Sequence, residues 1–457
     1  MKSIGELLLL RAGTANAGVV KDSKSIIRLL VVIAGAVIVS ACTSATDDEP
    51  DLDTAAISDN GAEPSIHEGY SDTASEYQVN GRVISNVDIE APLWNSRGKT
   101  EEQIAQRATF LTSVYDLKRT DEQMRRSADA REKYTDSIVV NSVIPMAPGT
   151  LGTTAEHYAK ALTRNRDAGL TLASTTIYGF PGDGDSSLAE RTSKAKAVIA
   201  ELDMVLAKNT DDIRQAKQDG KMAVIFNAQG ADFVIDDMAV LDELKNNGLQ
   251  VANFVYNQNN ALAGGSTAQD MGVTDLGKEF IQQANAVSVI VDCAHSSNQT
   301  CIDAAQYSSK PIIASHANVA ALFEISRNMS DEAIRAVADS GGVVCTTGVG
   351  LFLNAGGKAS PSEFARHVEY TANLIGRERT CFSTDYLHNA YEYFYNAVAS
   401  VDVYPPESGF GLPVSNIAVE HVWDVVAILE DEYGWSDEDV RGFLGENLMR
   451  AYAANWD

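Results

Sequence analysis

From residue 137 onward, short apolar runs alternate with polar stretches whose apolar positions fall at helical spacing. The runs are SIVVNSVIP (137–145), LTLASTTIYG (170–179), KMAVIFNAQG (221–230), LQVANFVYN (249–257), SVIVDCAHSS (288–297), PIIASHAN (311–318), GGVVCTTGV (341–349) and RTCFSTDYL (379–387). Near-continuous hydrophobic strands between amphipathic helices indicate parallel strands covered on both faces. Eight such units predict an α/β fold, a closed (β/α)8 TIM-like barrel. In that fold the C-terminal ends of the strands face the functional site. The polar residues that end these runs therefore carry the interest: Gln229, Tyr256, His295, His316 and Asp385.

Thr100 to Ser137 is highly charged and has no Gly or Pro, with Ile104, Phe110, Leu111, Val114 and Tyr115 at helical spacing. This predicts a helical N-terminal extension over 82–136, with the barrel occupying 137–457. Thr43 to Gly81 is rich in Asp and Glu and has no Lys or Arg, which predicts a disordered, self-repelling tether over 43–81. Upstream, Lys21, Lys24 and Arg28 precede an apolar run, Leu29 to Val39, that ends in Val39-Ser40-Ala41-Cys42. A membrane span would need about 20 apolar residues, so the pattern reads as a secretory signal over 1–42. VSAC resembles a bacterial lipobox. In that reading Cys42 is lipidated, and the protein is a lipoprotein of the bacterial cell envelope, membrane-anchored and facing the periplasm. An ordinary signal peptide or an uncleaved anchor is the other reading.

Charge narrows the partners. Against 36 basic residues the 457-residue chain has 63 acidic ones, a net −27, which argues against nucleic acid and anionic lipid surfaces as binding partners. Cys293, Cys301, Cys345 and Cys381 are scattered, and they are expected to form no disulfide framework; their spacing does not define a pairing.

Two imidazoles at the ends of neighbouring strands can converge on one divalent ion, whereas a lone buried histidine is ordinarily bonded to a backbone carbonyl. Arg327, in ISRNMSDE, is the first basic residue after His316. It can clamp a carboxylate through two parallel hydrogen bonds, or sit as a solvated loop charge. Asp385 can be a ligand, a general base or a cap. YNQNNALAGG (256–265) has the Asn and Gly density of a binding loop and equally of a plain turn.

Taken together, VDCAHSS, PIIASHAN, the RN of ISRNMSDE, the GGVV of 341–344, STDY at 383–386, YNQNNALAGG and GENLMRAY resemble the membrane (renal) dipeptidase family, metallopeptidases on an amidohydrolase-like TIM barrel. The resemblance runs from about Ser137 to Trp456. It implies dipeptide hydrolysis by two zinc ions bridged by a glutamate and a water, and it allows a homodimer. Position by position, His295 and His316 match the histidines of the second metal, Arg327 the arginine that holds the substrate carboxylate, and Asp385 the aspartate implicated in proton transfer. The first metal site is depleted. Where the family has an Asp-x-His-x-Asp-like segment, this chain has Asn141, Val143 and Pro145; the bridging glutamate falls on Gln229, and a substrate-contacting histidine falls on Tyr256. A two-ion centre carries +4 and depends on carboxylates to offset it. The sequence thus predicts one zinc ion at most. Three readings remain: an exported, lipid-anchored metal-dependent hydrolase of dipeptides or small amides, a catalytically inactive homologue that binds a small peptide-like ligand, or a structural surface component whose histidines are core residues.

Overall fold

The computed structural model describes residues 89–457 apart from 183–185, 268–270 and 407–409, together with the backbone of Glu76–Val79 and Arg82–Ser85. All of these lie within one compact unit, Gly61–Asp457. The proposed signal with Cys42, and the tether up to residue 75, fall outside the described residues. Among the described residues no helix is long and apolar enough to cross a membrane.

Each of the eight apolar runs contains one strand. We label them β1 (Val140–Ile144), β2 (Leu172–Tyr178), β3 (Ala223–Ala228), β4 (Leu249–Asn253), β5 (Ile290–Asp292), β6 (Ala314–Ala317), β7 (Val344–Thr347) and β8 (Thr380–Ser383). Neighbours pair in parallel from β1 to β5 and again from β6 to β8. Two sets of hydrogen bonds join these arcs. The Cys293 amide donates to the Ile313 carbonyl (2.9 Å) and Ile313 to Val291 (3.0 Å), which links β5 to β6. The Asp385 amide donates to Val143 (3.2 Å) and the Ser142 hydroxyl to Phe382 (3.0 Å), which closes β8 onto β1. The fold is the (β/α)8 barrel that the pattern predicts.

The barrel floor is a cluster of β-branched and small residues, including Val140, Ile225, Val251, Ile290 and Ile313, sealed by Leu448, Met449 and Tyr452 of the last helix, Asn447–Trp456. The opposite, C-terminal mouth is left to the site. The four cysteines, whose pairing the sequence leaves open, pair as Cys345 with Cys381 and Cys293 with Cys301. Cys345 and Cys381 are register partners on β7 and β8, so their proximity follows from strand adjacency, which their 36-residue separation conceals.

The extension contains two helices, Glu101–Leu111 and Asp121–Lys133. Each starts at a threonine whose hydroxyl accepts the N3 amide while a glutamine side chain reaches back, Thr100 with Gln103 and Thr120 with Gln123; such reciprocal caps satisfy amides that a helix start leaves bare. The Leu111 carbonyl accepts the Val414 amide (2.9 Å), which ties the end of the first helix to the chain beyond β8. Ahead of the helices, Glu76–Val79 and Arg82–Ser85 pair antiparallel, where tether and helix are expected.

Candidate active site

The site is built at the mouth, where several strands end in left-handed backbone. Asn257, His295 and Asp385 have φ of 61°, 65° and 48°. These values are uncommon for residues with a side chain, and such strain concentrates at functional positions. His295 and His316 are both buried, and their rings meet edge to face at 4.7 Å with Nε2 to Nε2 at 2.8 Å.

Asn257 holds the first imidazole from one side. Its Nδ2 donates to the Val403 carbonyl (3.1 Å), which leaves Oδ1 as an acceptor facing His295 Nδ1 at 2.7 Å. His295 Nε2 faces a second amide oxygen, Gln229 Oε1 at 2.9 Å, so each ring nitrogen has an acceptor for the single proton of a neutral imidazole. His316 Nε2 lies 2.8 Å from the same His295 Nε2, while His316 Nδ1 pairs with the Ser315 hydroxyl (2.7 Å). Burial, reinforced by the Arg327 charge, holds both imidazoles well below their ordinary range, so both are neutral at pH 7. His367 shows the structural alternative: its Nδ1 accepts from the Val319 amide (3.2 Å) and its Nε2 bonds the Leu353 carbonyl (3.1 Å), with nothing left over.

Gln229 Oε1 lies 2.9 Å from His295 Nε2, and Gln229 Nε2 donates to Thr176 Oγ1 (2.8 Å). Thr176 in turn donates to Asn227 (2.8 Å), so amides and hydroxyls fill this side of the mouth. Asn141 is fully buried and bonds Asn165 (3.1 Å) and Thr384 (2.8 Å and, from the amide, 2.9 Å); it joins the barrel wall. Val143 is buried in β1, and Pro145 lines the cleft beside Gln229. Neither can donate a ligand atom from its side chain.

Arg327 is buried, with Nη2 on the His316 carbonyl (3.1 Å), Phe352 over its guanidinium at 5.3 Å, and Nε without a protein partner. It lies behind the cleft wall that Phe352 helps to form, and the solvated-loop reading does not hold. Its helix follows as expected: Ser330 caps Asp331–Asp339. Asp385 is on the cleft wall, where burial pushes its carboxyl up to about 7 although the Arg327 charge pulls it down. Asp292, the other acid of VDCAHSS, is structural: its Oδ1 accepts the amides of Ala294 (2.9 Å) and Ser315 (3.0 Å) and so braces β5 against β6.

Tyr256 stacks on His295 at 4.1 Å, and its hydroxyl meets those of Tyr404 (2.8 Å) and Tyr393 (3.1 Å). Burial pushes its phenol up to about 12. Sequence reasoning found Tyr256 and missed Asn257, Tyr393 and Tyr404. Asn257 is adjacent to Tyr256 in the loop already singled out, whereas the tyrosines of the helix Ala390–Ala399 and the segment after it carried no signal. The same loop is knitted by its own asparagines: Asn260 Oδ1 accepts the Leu262 amide (2.8 Å) and Asn259 Oδ1 that of Gly265 (2.8 Å). The cleft in front of these groups has about 890 Å³ of free space, open solvent included.

Residues 184–399 match the family model described as membrane dipeptidase (peptidase family M19). The chain resembles the membrane dipeptidases. An uncharacterized protein in the pqqA 5′ region of Klebsiella pneumoniae is 27% identical over 219 residues, 45% of this chain and 81% of that protein. Among solved structures, an amidohydrolase from Pseudomonas aeruginosa has 24% identity and a TM-score of 0.61, covering 72% of this chain and 99% of its own. The probable dipeptidase PvdM from the same organism has 20% identity and a TM-score of 0.58, over 74% and 99%. A Rhodobacter sphaeroides metallo peptidase liganded with a phosphinate mimic of the dipeptide L-Ala-D-Ala has 15% identity and a TM-score of 0.54, over 70% and 100%. At these identities the solved structures share the dipeptidase-like fold with this chain.

Whether the residues at the mouth fit the family's metals can be judged from their donor atoms. Among the described residues no group of three or more His, Cys, Asp or Glu side chains is placed to hold an ion. A two-ion centre does not fit. What does converge is one point with His295 Nε2, His316 Nε2 and Gln229 Oε1, three neutral donors that suit one ion and no more.

Proposed function

We propose that the chain is a dipeptidase-like hydrolase of dipeptides or related small amides, working with one metal ion at most. One observation carries this reading: the converging His295–His316–Gln229 donors sit beside a cleft whose wall holds Asp385, a carboxyl near neutrality. His295 and His316 would hold the ion. When bound, it supplies a Lewis acid that lowers the pKa of water to near 7. The protein's own groups do the rest. Asp385, with its pKa of about 7, can take a proton at physiological pH and return it to a leaving amine. Arg327, buried behind Phe352 with an unused Nε, supplies the positive charge that attracts the free carboxylate of the ligand. Stacked Tyr256 and bonded Asn257 hold His295 in place.

The alternative, a homologue that binds a peptide-like ligand without turning it over, draws on the neutral Gln229 and on Val143 and Pro145. Metal analysis of the purified chain, paired with a dipeptide-hydrolysis screen before and after chelation, separates the two. One ion with chelator-sensitive turnover supports the hydrolase; no metal and no turnover, with saturable dipeptide binding, establishes the alternative. His316→Ala should abolish the bound ion, and unchanged metal content would remove His316 from the site.

We also propose that Cys42 is lipidated and anchors the protein in the bacterial cell envelope. Cys42→Ser should release it from the membrane fraction; retention there would sink the anchor.

A further inference from the structure

The cleft is polar at one end and aromatic at the other. Gln229, Asn257, His295 and Asp385 mark the polar end, and beyond them the lining is mostly aromatic and aliphatic, with Asn416 and with Arg107, whose guanidinium is spent on the Ile89 and Gly411 carbonyls. Phe410 stands edge-on to Tyr404 (5.4 Å, 80°) and to Phe352 (6.1 Å, 85°), and Phe394 edge-on to Tyr115 (6.4 Å, 69°). These walls come in part from outside the matched segment. Trp94, Leu111, Tyr115, Tyr404 and Phe410 all lie beyond residues 184–399, and the first three come from the extension and the turn that follows its first helix. The Leu111–Val414 backbone bond holds the first helix against the mouth, so this wall is a fixed part of the fold.

We propose that Leu111, Phe394 and Phe410 form a specificity pocket that selects amide substrates with one large apolar group, in preference to small ones such as dialanine. This rests on the hydrolase reading above and adds the substrate class to it. The physical reason is burial. A methyl side chain would leave the rings facing water, whereas a phenyl or isobutyl group displaces that water from apolar surface. Each added methylene in such a pocket changes discrimination by roughly tenfold. The apolar group can belong to an aromatic or branched dipeptide or to an N-acyl amino acid; both present the same chemistry to the wall.

The test is kcat/KM and calorimetric affinity of the full chain for Ala-Ala, Leu-Leu, Phe-Phe and N-octanoyl-alanine. Phe-Phe should exceed Ala-Ala by roughly tenfold or more, and N-octanoyl-alanine exceeding Phe-Phe would name the acyl source. Leu111→Trp, which fills the pocket, should lower the Phe-Phe to Ala-Ala ratio, as should Phe410→Ala, which unwalls it. Thermal melts establish folding, and Phe394→Leu serves if Leu111→Trp does not fold. Equal handling of Ala-Ala and Phe-Phe, or substitutions that shift both in step, overturns the pocket while the hydrolase reading stands. No binding of any of the four overturns both.

Discussion

The two halves of the barrel mouth occupy equivalent positions in one fold and differ in chemistry. On the β1–β3 side the strand ends carry Asn141, Val143, Pro145 and Gln229, a wall of apolar groups and amides that bond one another. On the β5–β8 side they carry His295, His316 and Asp385, with Arg327 buried behind. The difference teaches that a barrel keeps its strand-end geometry whether or not those ends are ionisable. The ladder hydrogen bonds and the floor cluster set the geometry, and both lie below the mouth. The neutral half is also well satisfied. Its residues are internally bonded, which stabilises the fold and leaves them little to offer an ion.

The comparison can be broken or sharpened by experiment, beginning with the largest effect. If the β5–β8 half performs the chemistry, Asp385→Asn should lower kcat/KM by roughly 10²–10⁴-fold, as measured by dipeptide hydrolysis; a loss within a fewfold would move proton transfer elsewhere. Arg327→Ala should weaken substrates with a free carboxylate by about 2–5 kcal/mol and spare amidated analogues. Equal loss for both would mean that Arg327 only supports the His316 carbonyl.

A third effect follows pH. With its carboxyl pushed up to about 7, Asp385 is an effective base above that pH, so kcat/KM should fall roughly tenfold per unit below it. A profile flat from pH 5 to 8 would separate Asp385 from the rate. The same shift acts on stability. Folding favours the protonated carboxyl, so its contribution is complete below the ordinary carboxylate range and is lost as pH rises through about 7. Asp385→Asn should therefore raise Tm relative to the native chain at pH 8 and leave it nearly level at pH 4. The smallest effect concerns the neutral half. Gln229→Glu restores one carboxylate opposite His295, yet metal content should stay at or below one ion per chain because Val143 and Pro145 still provide no donor. Two ions in that variant would show that Gln229 alone limited the site.

Much of the architecture was legible because barrel strands buried on both faces must be apolar nearly throughout. All eight runs became strands, and the residues ending them, His295, His316, Gln229, Tyr256 and Asp385, reached the mouth. Less was legible where partners come from distant segments. Asn257 meets the His295 ring from 38 residues away, and Tyr404 meets Tyr256 across 148. The extension reads as surface helix from its charge, yet the end of its first helix walls the cleft with Leu111; helical periodicity says which face is apolar and not what that face meets.

The sequence by itself determined the barrel, the identity of the groups at its strand ends and the absence of charge at positions 143, 145 and 229, since each depends on residue type and local period. Only the tertiary structure decided that His295 is held between Asn257 and Gln229, that Arg327 lies behind Phe352, that the cysteines pair as they do, and that the cleft has an aromatic end. Those outcomes depend on which atoms of distant segments come within a few ångströms of one another, a property of closure that no local pattern contains.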